Sequence, residues 1–142
     1  MFMGKYEHTL DPKGRLIVPS KYREGMGPVF IVTPGPDGCL FAYPMNEWNN
    51  IVEELKKLPG TREARDFTRH FLAAAAEVET DKQGRFLIPS ELREKAGLEK
   101  EVVFVGVLNR IELWDKDRWE EVNSEDNMAE AADKMAELGL RF

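Results

Sequence analysis

One cysteine, two histidines and no long apolar run mark this 142-residue chain. The single Cys39 cannot form an internal disulfide, which suits a reducing compartment. His8 and His70 have neither the Cys/His spacing of a zinc site nor a neighbouring nucleophile to activate. No segment has the Gly-rich pattern of a P-loop or a dinucleotide fold, so no cofactor is expected. No apolar run reaches the roughly 18 to 20 residues that span a bilayer. Met-Phe-Met-Gly-Lys5 lacks the basic region and apolar stretch of a signal peptide. A cytoplasmic protein without a metal, a membrane contact or a small-molecule substrate is expected. With 42% hydrophobic and 32% charged residues, the composition is that of one compact soluble domain.

What the chain does contain is a copy of itself. Asp11-Pro-Lys-Gly-Arg-Leu-Ile-Val-Pro-Ser20 returns as Asp81-Lys-Gln-Gly-Arg-Phe-Leu-Ile-Pro-Ser90, with Asp, Gly, Arg, Pro and Ser in register. Arg23-Glu24 reappears as Arg93-Glu94, and Trp48 as Trp119 after one residue of slippage. A unit of about seventy residues buries little apolar surface alone, so two halves sharing one core are the natural arrangement.

The net charge of −6 argues against a nucleic-acid partner until its distribution is considered. Residues 1–23 carry Lys5, Lys13, Arg15, Lys21 and Arg23 against Glu7 and Asp11, a local balance of +3. Residues 115–142 hold nine acidic and four basic residues, a balance of −5. A basic face can therefore coexist with an acidic tail, and such tails are also common as solubilising segments.

Each half reads as strand, turn, short strand, one helical turn, two further strands and a helix. Lys5 to Leu10 and Arg15 to Val18 read as the arms of a β-hairpin around Pro12-Lys13-Gly14. Ser20 and Ser90 are placed to cap short helices that Gly25 and Gly97 would end. Strands are expected at Val29 to Thr33, Cys39 to Tyr43, Glu101 to Val107 and Arg110 to Trp114. Met45 to Leu58 has helical apolar spacing and stops at Pro59-Gly60. Thr61 caps a second helix to about Ala76, with Phe67 and Phe71 facing inward and Arg62, Arg65 and Arg69 on another stripe. The tail reads as helical to about Leu138, with a break near Asn123 to Asn127 and Trp119, Val122, Met128, Ala132 and Met135 available for packing. The fold class is mainly β with packed helices. Its expected organisation is a first repeat over residues 5–58, a linking helix over 59–76, a second repeat over 77–120 and a helical tail over 121–142.

The duplicated Asp11-Pro-Lys-Gly-Arg15 and Asp81-Lys-Gln-Gly-Arg85 turns resemble those of the MraZ family. The likeness extends to the Met-Phe-x-Gly start, Leu40-Phe41-x-Tyr43-Pro44 with Glu47-Trp48, Leu98-x-Lys100-Glu101-Val102, and Glu112-Leu113-Trp114-Asp115. It covers nearly the entire chain. The resemblance implies a swapped-hairpin barrel similar to AbrB-type transition-state regulators, built here from two halves of one chain. It further implies a bacterial, nucleoid-associated transcriptional regulator that forms ring-shaped homo-oligomers. Such a regulator would act, as a repressor, on its own division and cell-wall operon by binding short direct repeats of double-stranded DNA.

The residues of the turn agree with that implication. Arg15 can present a planar fork of donors to phosphate or guanine, with Lys13 as a phosphate anchor. Asp11 is placed to fix the direction of Arg15, and Gly14 to supply the turn. Asp81, Lys82, Gly84 and Arg85 repeat the arrangement, and Lys5 adds a cation to the basic N-terminal segment. Against this, an Asp–Arg pair can simply hold a turn closed, most of all in the second copy, where Gln83 replaces Lys13. Arg62, Arg65 and Arg69 could add phosphate contacts or form a solvated, ion-paired face. Two other functions compete. Asp11 and Asp81 could form the dyad of a duplicated acid protease, though each has an arginine four residues on and Asp-Thr/Ser-Gly is absent. The chain could also be an assembly module without DNA, with the acidic tail recruiting a partner.

Overall fold

The computed structural model describes Met1–Phe142 and is α+β, as the sequence indicates. The first half contains β1 (Lys5–Thr9), β2 (Arg15–Ile17), α1 (Ser20–Met26), β3 (Val29–Pro34), β4 (Leu40–Pro44) and α2 (Met45–Lys56). α3 (Arg62–Ala74) leads into β5 (Ala76–Glu79), β6 (Arg85–Leu87), α4 (Ser90–Ala96), β7 (Glu101–Val107) and β8 (Arg110–Asp115). α5 (Lys116–Val122) and α6 (Glu125–Glu137) close the chain.

The halves are interlaced. β1 pairs with β7, from the second half, and β5 pairs reciprocally with β3. β4 and β8 join across the middle, giving one antiparallel sheet in the order β1-β7-β8-β4-β3-β5. β2 and β6 form a separate two-stranded ribbon. The expected hairpin is thus corrected. Its turn is closed by the Asp11 N–H donating to the Arg15 carbonyl at 2.9 Å, but the strands on either side take different partners. With three residues in β2, the ribbon cannot bury its inner face without a partner from the other copy.

One core runs between the sheet and the ribbon, and most of its members come in matched positions. Leu16 and Phe86, Val18 and Ile88, and Tyr22 and Leu92 are buried counterparts. Bulk alternates between copies: Phe30 corresponds to Val102, and Val32 to Phe104. The Phe30 and Phe86 rings meet edge to face at 5.1 Å. An apolar space of about 10 Å³, lined by Val18, Met26, Phe30, Ala42, Phe86, Phe104, Ile111 and Leu113, lies here, too small for a ligand in a close-packed core.

Local corrections have simple causes. Proline 19 and proline 89 hold the boundary φ, so α1 and α4 begin at Ser20 and Ser90 themselves and neither hydroxyl caps. α1 continues through Gly25, which gives room to the Phe2 ring, and ends at Gly27 with φ +72°. Gly97 ends α4 in the left-handed region as expected. Thr61 caps α3 by accepting from the Ala64 N–H at 3.2 Å. Phe71 stacks on Trp48 at 5.5 Å, but Phe67 stacks only on Phe71 and stays 56% exposed. The tail is broken where Ser124 caps α6. Trp119 packs near Trp114 at 6.0 Å, whereas α6 buries no residue and leaves Met128 and Met135 exposed.

Candidate nucleic-acid interface

Each repeated turn is organised by its aspartate. Asp11 Oδ1 accepts from the backbone N–H groups of Lys13 and Arg15 at 2.9 and 2.8 Å, while Oδ2 accepts from Arg15 Nε at 2.7 Å. Gly14 turns the chain at φ +83°, and its N–H donates to the Asp11 carbonyl. The second copy superimposes this pattern residue for residue. Asp81 Oδ1 takes the Gln83 and Arg85 N–H groups at 2.9 Å each, Oδ2 takes Arg85 Nε at 2.8 Å, and Gly84 has φ +79°. The Arg15 and Arg85 N–H groups are the main cause that lowers the Asp11 and Asp81 pKa values. Both carboxylates are therefore held ionised.

The aspartate occupies only Nε. The terminal amino groups of Arg15 and Arg85 make no hydrogen bond within the protein, and the two side chains are 31% and 33% exposed. Lys13 and Lys82 are exposed beside them. In the ribbon Arg15 lies opposite Leu87, and Ile17 opposite Arg85, while Leu16 and Phe86 point into the core. The outer face thus consists of two arginines and two apolar side chains, with Ile17 and Leu87 37% and 54% exposed.

Antiparallel pairing puts the two turns at opposite ends of this ribbon. The Ile88 N–H donates to the Gly14 carbonyl at 3.0 Å, and the Val18 N–H to the Gly84 carbonyl at 2.9 Å. Four residues of strand separate these ends, about 13 Å. Asp11 and Asp81 therefore do not form a carboxylate pair, and each is committed to its own arginine. A shared-proton acid-protease dyad is excluded on that geometry.

Two residues that the motif reading left outside the site belong to its surroundings. Arg93 Nε donates to the Ile88 carbonyl at 3.1 Å, which sets its guanidinium over Gly14 of the other half. Arg23 does the same from the first half, donating to the Val18 carbonyl at 2.9 Å and lying over Gly84. The signal was present, because Arg23 and Arg93 are themselves repeated. Its spatial meaning was not, since the crossing depends on strand exchange. Conversely, Lys5 stands at the far end of β1, six residues and about 20 Å of extended chain from Asp11. Arg62 and Arg69 both pair with Asp66, at 3.9 and 2.8 Å, and Arg65 donates to the Gly60 carbonyl. His8 packs edge to face on Phe104, and burial lowers its pKa, with Arg23 adding to the effect. No group of three or more His, Cys, Asp or Glu side chains is arranged to hold a metal ion.

A duplicated barrel with exchanged strands, carrying a cationic turn at each end of one exposed ribbon, defines a narrow class of protein. Residues 1–70 and 71–142 each match the family described as "MraZ protein, putative antitoxin-like". The chain belongs to the MraZ family. It is 61% identical to a protein of Lachnoclostridium phytofermentans over 142 residues, covering the whole of both chains. It is 54% identical to one of Acetivibrio thermocellus over 143 residues, covering 99% of this chain and all of the other. A Clostridium beijerinckii protein is 51% identical over 142 residues, again 99% and 100% of the two chains. All three are named "Transcriptional regulator MraZ", which describes regulators and not enzymes.

Proposed function

We propose that this chain is a DNA-binding transcriptional regulator that lays the β2–β6 ribbon and its two turns against double-stranded DNA. The supporting observation is the pair of arginines whose Nε is held by aspartate while the terminal fork stays free. Such a group is already oriented, so it loses little freedom on meeting a phosphate or the O6/N7 edge of guanine. A two-stranded ribbon has dimensions that a major groove accommodates. Lys13 and Lys82 lie where phosphate contacts would flank the arginines, and Ile17 and Leu87 can meet thymine methyl groups.

The names of the relatives support regulation of transcription. On the family resemblance, the target is the protein's own division and cell-wall operon, repressed through short direct repeats, in the nucleoid of the cytoplasm. One ribbon with few cations binds weakly, since non-specific affinities lie near about 10⁻⁴ to 10⁻⁶ M at physiological salt. A ring of copies presenting the same ribbon to successive repeats raises avidity by roughly 10² to 10⁴. Head-to-tail neighbours share one orientation, which accounts for direct and not inverted repeats.

The test is fluorescence anisotropy of a labelled fragment from the protein's own upstream region, titrated at several salt concentrations beside a scrambled fragment. Preference for the native fragment, a steep fall with salt, and collapse of that preference in folded Arg15→Ala are expected. If neither fragment binds at low salt, the DNA reading fails and the ribbon is an assembly surface.

A further inference from the structure

The two turns carry the same hydrogen bonds but stand in different surroundings. Between α1 and β3 the chain has two residues, Gly27 and Pro28, whereas between α4 and β7 it has four, Gly97 to Lys100. Strand register fixes the correspondence: Thr9 lies opposite Glu101 as Glu79 lies opposite Val29. Leu10 donates its N–H to the Lys100 carbonyl at 2.7 Å, and Thr80 donates to the Pro28 carbonyl at 2.9 Å. Lys100 and Pro28 are therefore equivalent, and Leu98 and Glu99 have no counterpart in the first half.

Those two residues change what lies beside each turn. At the first turn Leu98 is 6% exposed and Leu10 8%, and both belong to the barrel core. At the second, Leu98 has no equivalent and Thr80 stands in the place of Leu10. An open cleft of about 370 Å³ lies there instead, bordered by Arg23, Gly27, Pro28, Thr80 and Lys82. Glu24 shares the wall with Arg23, so the cleft is polar without being an anion pocket. The difference reaches the turns themselves. Gly14 is buried and Arg93 above it half-buried, whereas Gly84 is half-buried and Arg23 exposed. The Asp11 side chain is 28% exposed and that of Asp81 40%.

Packing bears on the kind of contact each turn can make. A base edge is read only by donors held in place, while a phosphate accepts a cation from many directions. The first turn is held by Arg93 and by the buried Leu10 and Leu98. The second has the matching arginine but open space beside it, into which the turn can shift.

We propose that the two turns divide the work on DNA. The first sets sequence preference through Arg15, with Arg93 of the other half as its positioning residue. The second adds charge through Arg85 and Lys82 with little preference of its own. Preference is then concentrated at one end of the ribbon, while the other end, about 13 Å away, follows the backbone. This division rests on the DNA reading of the ribbon and goes beyond it by making two identically bonded turns unequal.

Full-length Arg15→Ala, Arg85→Ala, Arg93→Gln and Arg23→Gln are titrated by anisotropy against the native upstream fragment and its scrambled counterpart at several salt concentrations. The melting temperature of each variant is recorded alongside. Arg15→Ala is expected to lower the native-to-scrambled affinity ratio by roughly five- to 150-fold, the range of one good base contact, and Arg93→Gln by at least about fivefold. Arg85→Ala is expected to weaken both fragments alike, keeping the ratio within about twofold, and to reduce the slope of log affinity against log salt by about 0.9. Arg23→Gln and Arg93→Gln each remove a hydrogen bond to a matching carbonyl, so a merely structural role would move the ratio equally in both. Only Arg93→Gln is expected to move it.

Amide hydrogen exchange measured by NMR without DNA gives a second readout. The Gly14 N–H is expected to exchange more slowly than the Gly84 N–H, and to accelerate in Arg93→Gln. Equal exchange at the two turns overturns the division, as does an equal loss of preference in Arg15→Ala and Arg85→Ala. Wild type that binds neither fragment overturns the DNA reading and the division with it. Wild type that prefers the native fragment while both turns contribute equally to that preference overturns the division alone.

Discussion

The guanidinium of Arg93, from the second half of the chain, lies over Gly14 in the first. A β-carbon added to Gly14 would come within 2.7 Å of Arg93 Cζ, at a backbone φ of +83° that side chains resist. Gly14→Ala therefore acts twice, through strain of about 1–2 kcal/mol and by pushing Arg93 off the Ile88 carbonyl. Gly27 has φ +72° and open space around it, so Gly27→Ala carries the strain alone. Urea unfolding is expected to show both variants destabilised, and DNA anisotropy to show Gly14→Ala weakened more than Gly27→Ala, which lines the cleft beside Asp81 and Gly84 without displacing an arginine. Equal DNA affinity in the two would remove the turn from the interface.

Asp11→Asn separates orientation from charge. The substitution removes a negative charge from a DNA-facing turn, which by simple electrostatics strengthens binding. It also weakens the contact that holds Arg15 Nε at 2.7 Å and directs its fork. Orientation is expected to dominate, lowering specific affinity while non-specific affinity is unchanged or slightly raised. Tighter binding to both native and scrambled fragments would show that the aspartate only closes the turn.

What could be read from the chain and what could not follow from how local each feature is. The Asp11 and Asp81 turns were legible because the carboxylate reaches groups only two and four residues on. The arginine–glycine contacts between halves were not, because they follow from β2 pairing with β6 and β1 with β7. Periodicity marked α6 as a helix, yet periodicity shows only that one side is apolar, and within the chain nothing covers Met128 or Leu138. Lys5 belongs to the basic N-terminal segment in sequence, whereas in the fold the length of β1 separates it from the turn.

Strand exchange makes the halves interdependent. In residues 1–70 alone, β1 lacks β7, β2 lacks β6 and β3 lacks β5. The leading half is expected to be unfolded as a monomer and to gain β structure only by pairing with a second copy. Its circular dichroism should therefore change with concentration over the micromolar range, while the full chain's does not. A half that stays folded and monomeric on dilution would contradict the shared core.

Cys39 serves as a probe of that core. It is 2% exposed against Val103 and Trp114, and burial, with the nearby carboxylates Glu112 and Asp37 contributing, pushes its thiol up to about 12. At pH 8 the native thiol is protonated and inaccessible, so a thiol reagent should label it only as fast as the protein opens. Labelling is expected to be slow in buffer and immediate in denaturant. Rapid native labelling would show that the β4–β7–β8 region opens locally.

The turn carboxylates make the fold lose stability in acid. Asp11 and Asp81 have pKa values below the usual 3.8 when folded, chiefly through the N–H groups of Arg15 and Arg85. Their contribution to stability is therefore complete above 3.8 and is lost as pH falls through the folded values. Carbon-detected NMR titration is expected to place both below 3.8. Arg15→Ala keeps the backbone N–H of residue 15 and removes the guanidinium, so Asp11 should rise part of the way and remain below 3.8, with Asp81 unmoved. An Asp11 that titrates at its ordinary value in the wild type would mean that the turn does not close around the carboxylate, and Arg15 would then be free to rotate.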